Sequence, residues 1–289
     1  MKLSYKDSLY ADTSKHISLD DIINDIKTGV YKDVIDEIRT ANKNERDKLK
    51  KQLPTFFVDV VLDGSSSSVG KSKTVSSTGI IQFDLDDYDE VKSKKTIQHI
   101  NKHPSTLYSF LSPSGGIKFG VMTDFDCNDK TTIGHKHKIA YDIVVEEIGD
   151  LLKGYKVDTA TKSVSQTCHL SYDKNVYLNK SVVKIKVNKL VNKQFDEQEK
   201  QAKTISSQIT DTSDKEVLDA LNYIPKNLGY EDRLEINFSV IDYFGDKAKP
   251  ILLSYWIKRD KKKLEGQIDS QIKSHLAKTG NKITVKTLF

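Results

Sequence analysis

At 289 residues, 37% hydrophobic and 30% charged, with a mean hydropathy of −0.52, the chain has a soluble protein's composition and room for one substantial core plus a smaller unit. No apolar run approaches a membrane helix and the N-terminus lacks a signal peptide's apolar stretch, so the expectation is a cytoplasmic protein with no membrane partner. The formal charge of +5 is a weak pointer to an anionic partner, and Cys127 and Cys168, far apart and without C-x-x-C spacing, argue for a reducing compartment and against structural zinc.

In chain order, residues 1–17 hold a short extended piece, and Ser18-Leu19-Asp20-Asp21 caps a helix through Ile22, Ile23 and Ile26 that Gly29 breaks. A second helix carries Val34, Ile35 and Ile38 on one face and ends in lysines before Pro54. This region predicts a packing layer without chemistry. Residues 56–62, Phe-Phe-Val-Asp-Val-Val-Leu, predict a strand. The loop after it resembles a phosphate-binding P-loop, but it has five residues between Gly64 and Gly70 where four are needed, and no helix pattern follows. Lys71 and Lys73 remain candidates for touching a nucleic-acid or nucleotide phosphate.

Residues 80–85 predict a strand running into Asp84, Asp86 and Asp87. A helix is expected over 89–102, a strand over 105–111, a tight turn at 112–116 and its hairpin partner over 117–122. A helix over 131–152 and strand-like pieces at 155–158 and 168–172 complete a β-α-β-β-α-β order. The expected fold is therefore α+β, a split β-α-β-β-α-β core of the ferredoxin-like, RNA-recognition or polymerase-palm kind. An N-terminal layer of helices and strands and a small helical C-terminal domain would accompany it. Lysines alternating with valines over 180–189 suggest a last strand, and the polar run 194–212 reads as a linker or solvated helix. A capping box at Ser213–Glu216 opens the second unit, so the expected division is 1–190, linker 191–212, and 213–289. The apolar ending at 283–289 reads as a cut through a longer protein.

Three features carry possible chemistry. Asp84 and Asp86 point to one face of a strand roughly 7 Å apart at Cα, and two like charges there call for a cation between them. The alternative is a strand end whose acids merely start the next helix. The turn Ser112-Pro113-Ser114-Gly115-Gly116, with Lys118 after it, offers glycines, hydroxyls and a charge to a polyphosphate. Asp158 is the third, an acid that the topology returns to the first strand. His169 could reach a phosphate or pack as a core histidine, whereas His135 and His137, two residues apart on a helix, diverge and make no zinc site.

In this order the motifs resemble the archaeo-eukaryotic primase superfamily, in the primase-polymerase form carried by phages, plasmids and integrated elements, over roughly residues 18–180. The resemblance rests on Leu53-Pro54 before the first strand, Phe83-Asp84-Leu85-Asp86, Ser112-Pro113-Ser114-Gly115-Gly116-Ile117-Lys118, Val157-Asp158 and Leu170-Ser171-Tyr172-Asp173. It implies a DNA primase-polymerase: template-directed nucleotidyl transfer on two divalent ions, Mg²⁺ or Mn²⁺, with Asp84, Asp86 and Asp158 as catalytic metal ligands. It also implies nucleotide binding by Ser112, Ser114, Gly115, Gly116, Lys118 and His169, with nucleoside triphosphates and a single-stranded DNA template as partners and a helicase in cis or in trans. Many relatives have His where Lys118 stands and Arg near Gln166. These departures motivate the alternative of an inactive module that binds single-stranded nucleic acid and recruits a helicase. Residues 213–289 are similar, more loosely, to the helical domain that follows such primases. Lys258 and Arg259 lie in a basic run there that could follow template phosphates.

Overall fold

The computed structural model describes residues 1–86, 90–208, 213–224, 228, 230–256 and 261–276. The chain divides into two units, Met1–Asp196 and Glu197–Phe289. The first opens with β1 (Lys2–Lys6), β2 (Lys15–Ser18), α1 (Leu19–Thr28), α2 (Lys32–Thr40) and α3 (Lys43–Lys50). Next come β3 (Thr55–Phe57), β4 (Val60–Leu62), β5 (Val75–Ser77), β6 (Ile80–Leu85), α4 (Glu90–Ile100), β7 (Thr106–Leu111) and β8 (Ile117–Met122). It closes with α5 (Ile133–Glu147), α6 (Gly149–Leu152), a 3-10 turn (Thr159–Lys162), β9 (Thr167–His169) and β10 (Tyr177–Leu178).

Local chemistry accounts for the helix ends near the site. Ser18 Oγ accepts the Asp21 amide at the start of α1, and Gly29, in the left-handed region at φ 76°, ends that helix. The strands form one sheet of order β2-β1-β3-β9, a second of order β10-β7-β8-β6, and the hairpin β4-β5. β6 pairs antiparallel with β8 and, on its other side, meets the chain again through a single antiparallel bridge between Leu85 and Val157.

β6 is buried on both faces, and its alternation sorts two cores. Ile81, Phe83 and Leu85 lie with Phe119, Val121, Ile139, Ala140 and Val144, and the Phe83 and Phe119 rings stack at 5.0 Å. Ile80 faces the other way, into a core with Tyr108, Phe110, Phe56, Cys168 and the α1 isoleucines. Each such side chain contributes about 1.5–3 kcal/mol by leaving water. Asp84 shares the Ile80 face, so its carboxylate lies on the side of the sheet where residues of the first sheet pack.

Several elements depart from the sequence expectation. The run 56–62 is two strands in different sheets, because Asp59, 1% exposed, interrupts it: its Oδ1 accepts the Gln82 amide at 3.1 Å and lies 3.2 Å from His137 Nε2, without hydrogen-bond alignment. Residues 168–172 do not join the β6 sheet; β9 pairs with β3. Residues 180–189 form no strand, only a bridge between Ile185 and Thr123.

The boundary between units falls inside α7 (Asn188–Gln208), which takes up residues 191–208 of the expected linker. The second unit continues with α8 (Asp214–Tyr223), α9 (Tyr230–Phe244), α10 (Ala248–Tyr255) and α11 (Lys261–Leu276). Ser213 and Glu216 make the reciprocal capping box of α8. Val240, Ile241, Leu252, Trp256 and Ile268 form the core, and the Trp256 indole donates to Asn237 Oδ1 at 2.9 Å, so Trp256 is a core residue. Among the described residues no helix is long and apolar enough to cross a membrane.

Candidate active site

Three neighbouring backbone segments bring the acids and the lysine of the predicted motifs together. In the β6–β8 register Asp84 stands opposite Lys118. On the other side of β6 the Asp158 amide donates to the Asp84 carbonyl at 2.8 Å and the Asp86 amide to the Lys156 carbonyl at 3.3 Å. With Leu85 bridged to Val157, that register sets Asp158 opposite Asp84. Lys118, Asp84 and Asp158 therefore stand in a row across three adjoining segments, at the roughly 5 Å Cβ spacing of cross-strand neighbours. Asp86, two residues on, shares the Asp84 face and is exposed.

The cation that Asp84 needs is supplied by the protein. Lys118 Nζ donates to Asp84 Oδ2 in an ion pair whose side chains are only 8% and 16% exposed. Burial would lower the lysine, but it is held above its ordinary value by nearby groups, the Asp84 and Asp158 carboxylates among them. Burial pushes the neighbouring Cys168 thiol up to about 12, so it is neutral near pH 7 and the carboxylates are the charges that matter. Asp158 also caps the 3-10 turn after it, its Oδ1 accepting the Ala160 amide at 2.9 Å. Among the described residues no group of three or more His, Cys, Asp or Glu converges as a metal site. Asp84, Asp86 and Asp158 have the oxygen donors that a hard divalent ion takes, but binding one requires Asp84 to exchange its lysine and the three carboxylates to turn toward a common point.

The turn at 112–116 stands beside this row. Its Ser112 amide donates to the Gly116 carbonyl at 2.7 Å and its Gly115 amide to the Ser112 carbonyl at 3.0 Å, so two of its amides serve the turn itself. Gly115 needs its positive φ of 91°. A Cβ on Gly116 would lie 2.8 Å from the Leu85 carbonyl oxygen and 3.7 Å from Asp86 Oδ1, so the missing side chain lets the turn close against the acidic end of β6. Ser112 is buried, and Ser114 and Gly115 are partly exposed.

The motif at 170–173 fastens the turn. Asp173 Oδ2 accepts the Leu111 amide at 2.9 Å, and Ser171 Oγ donates to the Leu111 carbonyl at 2.6 Å. Arg39, from α2, donates to the Tyr172 carbonyl at 2.8 Å and the Ser112 carbonyl at 3.4 Å. Lys50, at the end of α3, lies within electrostatic reach of Lys118, Asp84 and Asp86, and burial, aided by Lys118, lowers its ammonium group. Sequence reading missed both residues, because they lie on a polar helix face and a lysine-rich helix end with no motif around them.

His169 on β9 is pushed down to about 4 by burial and by the Lys50 and Lys118 charges, so it is neutral near pH 7, and its Nδ1 is buried without a hydrogen-bond partner. His135 stands edge-on to Phe195 and His137 lies at Asp59, so the two do diverge. Lys71 and Lys73 are exposed on the serine-rich loop. There Asp63 accepts the Ser65, Lys73 and Thr74 amides, so its own carboxylate takes the donors that a phosphate would use. Those bonds, with the Ser65 hydroxyl foremost, lower Asp63 to about 2. Asp87, Lys258, Arg259 and the closing stretch 283–289 lie outside the described residues.

Residues 48–178, less than half of the chain, match the family described as BT4734-like, N-terminal domain. The matched stretch contains Lys50, Asp84, Asp86, the 112–118 hairpin, Asp158 and Asp173. No curated protein and no solved structure matches the chain.

Proposed function

We propose that the first unit is a nucleotidyltransferase of the primase-polymerase kind, extending a nucleic-acid strand against a single-stranded template. The observation that carries the reading is the row Lys118–Asp84–Asp158, flanked by Asp86 and by a glycine turn closed against Leu85. Support also comes from topology. β6, α4, β7, β8, α5 and the Val157 bridge follow in the order β-α-β-β-α-β, with β6 between β8 and Val157, as a split palm-like sheet requires.

In this reading the 3′-hydroxyl of the growing strand gives up its proton to solvent and attacks the α-phosphorus of a nucleoside triphosphate, a new P–O bond forms, and pyrophosphate leaves with the electrons of the broken bond. Asp84, Asp86 and Asp158 would hold divalent ions, which when bound lower the hydroxyl's pKa and neutralise charge on the transferring phosphoryl group. Lys118, freed from Asp84, would keep its charge and turn it to the phosphates. Arg39, Ser171 and Asp173 would act by holding the turn at 112–116 in place. Burial and the Lys50 and Lys118 charges leave His169 a neutral ring, suited to accept or donate a hydrogen bond rather than to supply charge.

The buried Lys118–Asp84 pair also favours a second reading, a module that binds nucleic acid without chemistry and recruits a helicase. Extension of a labelled primer on a template, with Mg²⁺ or Mn²⁺, decides between the two. Product whose sequence follows the template supports the transferase, and no product from any template leaves only the binding module.

A further inference from the structure

Between Asp173 and Asp196 the chain carries six lysines, at 174, 180, 184, 186, 189 and 193, and no acid. Their charge exceeds the formal +5 of the whole protein, so the remainder of the chain is slightly negative on balance. A solvated surface, the ordinary meaning of lysine runs, commonly interleaves acids with its lysines. Here six lysines fall within 20 residues with no acid among them, a denser run than the five lysines spread over the equally acid-free stretch 91–123.

The segment has a fixed backbone. β10 pairs with β7, the Asn179 amide donates to the Leu107 carbonyl at 2.7 Å, and the Val183 amide donates to the Pro104 carbonyl at 3.0 Å. The Ile185 amide donates to the Met122 carbonyl at 3.0 Å, and Asp124 Oδ1 accepts the Val187 amide at 2.7 Å and the Asn188 amide at 2.9 Å. Val187 and Val191 are fully buried, while Lys180 and Lys186 are 82% and 80% exposed. Val183 and Leu190 stand exposed among the lysines. Asp20, exposed, lies 3.9 Å from Lys180, and Asp124, half-buried, lies 3.8 Å from Lys186; at those distances, and with both lysines in solvent, the pairs contribute little.

We infer that this strap is a docking track for single-stranded nucleic acid. It starts at Asp173, which holds the site end of β7, and follows that strand for roughly 20 Å to its far end, at the ordinary rise per strand residue. A series of exposed ammonium groups on a hydrogen-bonded backbone complements the charge of a phosphate backbone, and the exposed apolar side chains offer contact to unstacked bases. Its role as a template path rests on the transferase reading above; its binding does not.

The test is anisotropy of a labelled oligonucleotide of about 20 nucleotides, without metal or nucleotide, across a salt series. Wild type is compared with K180A/K184A/K186A/K189A and with the control K27A/K95A/K102A/K153A, all at exposed positions. The strap variant should bind at least about ten-fold more weakly and lose about 3 from the slope of log K against log salt, at about 0.7 per lost contact, while the control keeps its slope. Melting temperatures check that the variants fold, and K184Q/K189Q provides a milder version expected to lose about half as much slope. Equal affinity and slope in wild type and strap variants overturns the inference. So does strap-dependent binding of vesicles containing anionic lipid with none to the oligonucleotide, which would make the strap a membrane contact. Strap-dependent binding in a protein that never extends a primer would keep the track and remove the transferase reading.

Discussion

Replacing Lys118 with methionine removes a buried cation while keeping most of its stem, and so isolates what the charge does. Asp84 would be left at 16% side-chain exposure without its ion-pair partner. Breaking a buried pair from one side costs about 3–5 kcal/mol. The partial exposure and the nearby Lys50 put this case at the low end, about 3 kcal/mol, or roughly 6–12 °C in melting temperature for a unit of this size. The same variant frees Asp84 for a divalent ion, so Mn²⁺ should stabilise it more than wild type, by about 2.7 kcal/mol at a hundred-fold excess over its Kd. Adding Asp84→Asn should recover much of the loss and abolish the Mn²⁺ gain. Differential scanning fluorimetry of wild type, both single variants and the double variant, with and without Mn²⁺, reads both effects. A Lys118→Met protein as stable as wild type, or an equal Mn²⁺ gain in all four, would refute the claim that this lysine occupies the ion-binding position.

His169 accepts a proton in the unfolded chain below about pH 6.5 but resists it in the fold down to about 4. Its contribution to stability is therefore full above pH 6.5, is lost as pH falls through that window and levels off near 4, by at most about 3 kcal/mol. Denaturant melts at pH 7, 5.5 and 4 should show a shallower acid loss in His169→Gln than in wild type. Gly120→Ala would drive a Cβ into the Tyr108 ring and to 2.9 Å from Ile80 Cγ2, with an expected loss of about 1–3 kcal/mol in the same melts. An unchanged midpoint would mean that the ring moves freely.

The strand bearing the acids, the hairpin after it and the flanking helices were legible because hydrophobic period, turn residues and helix breakers agreed there. The second unit's capping box was legible for the same reason, being a local pattern. What escaped was non-local. Asp59 splits the run 56–62 because it serves the Gln82 amide, a partner 23 residues away. Residues 168–172 read as a strand, but nothing in them says which sheet they join. The expected strand at 155–158 is reduced to one bridge, because Asp158 turns to cap Ala160. Repulsion between Asp84 and Asp86 could be read from their spacing, but not the lysine that relieves it, which follows from the β6–β8 register. Because of that pairing, removing the carboxylates strands Lys118.

The most direct test of the transferase account is primer extension by Asp84→Asn/Asp86→Asn beside wild type, on templates of different sequence, with Mn²⁺ present. The variant should fold, with a lower melting temperature because Lys118 loses its partner, and should incorporate nothing. Wild type should add the nucleotides that each template specifies. Template-directed incorporation by the double variant at the wild-type rate would contradict the account.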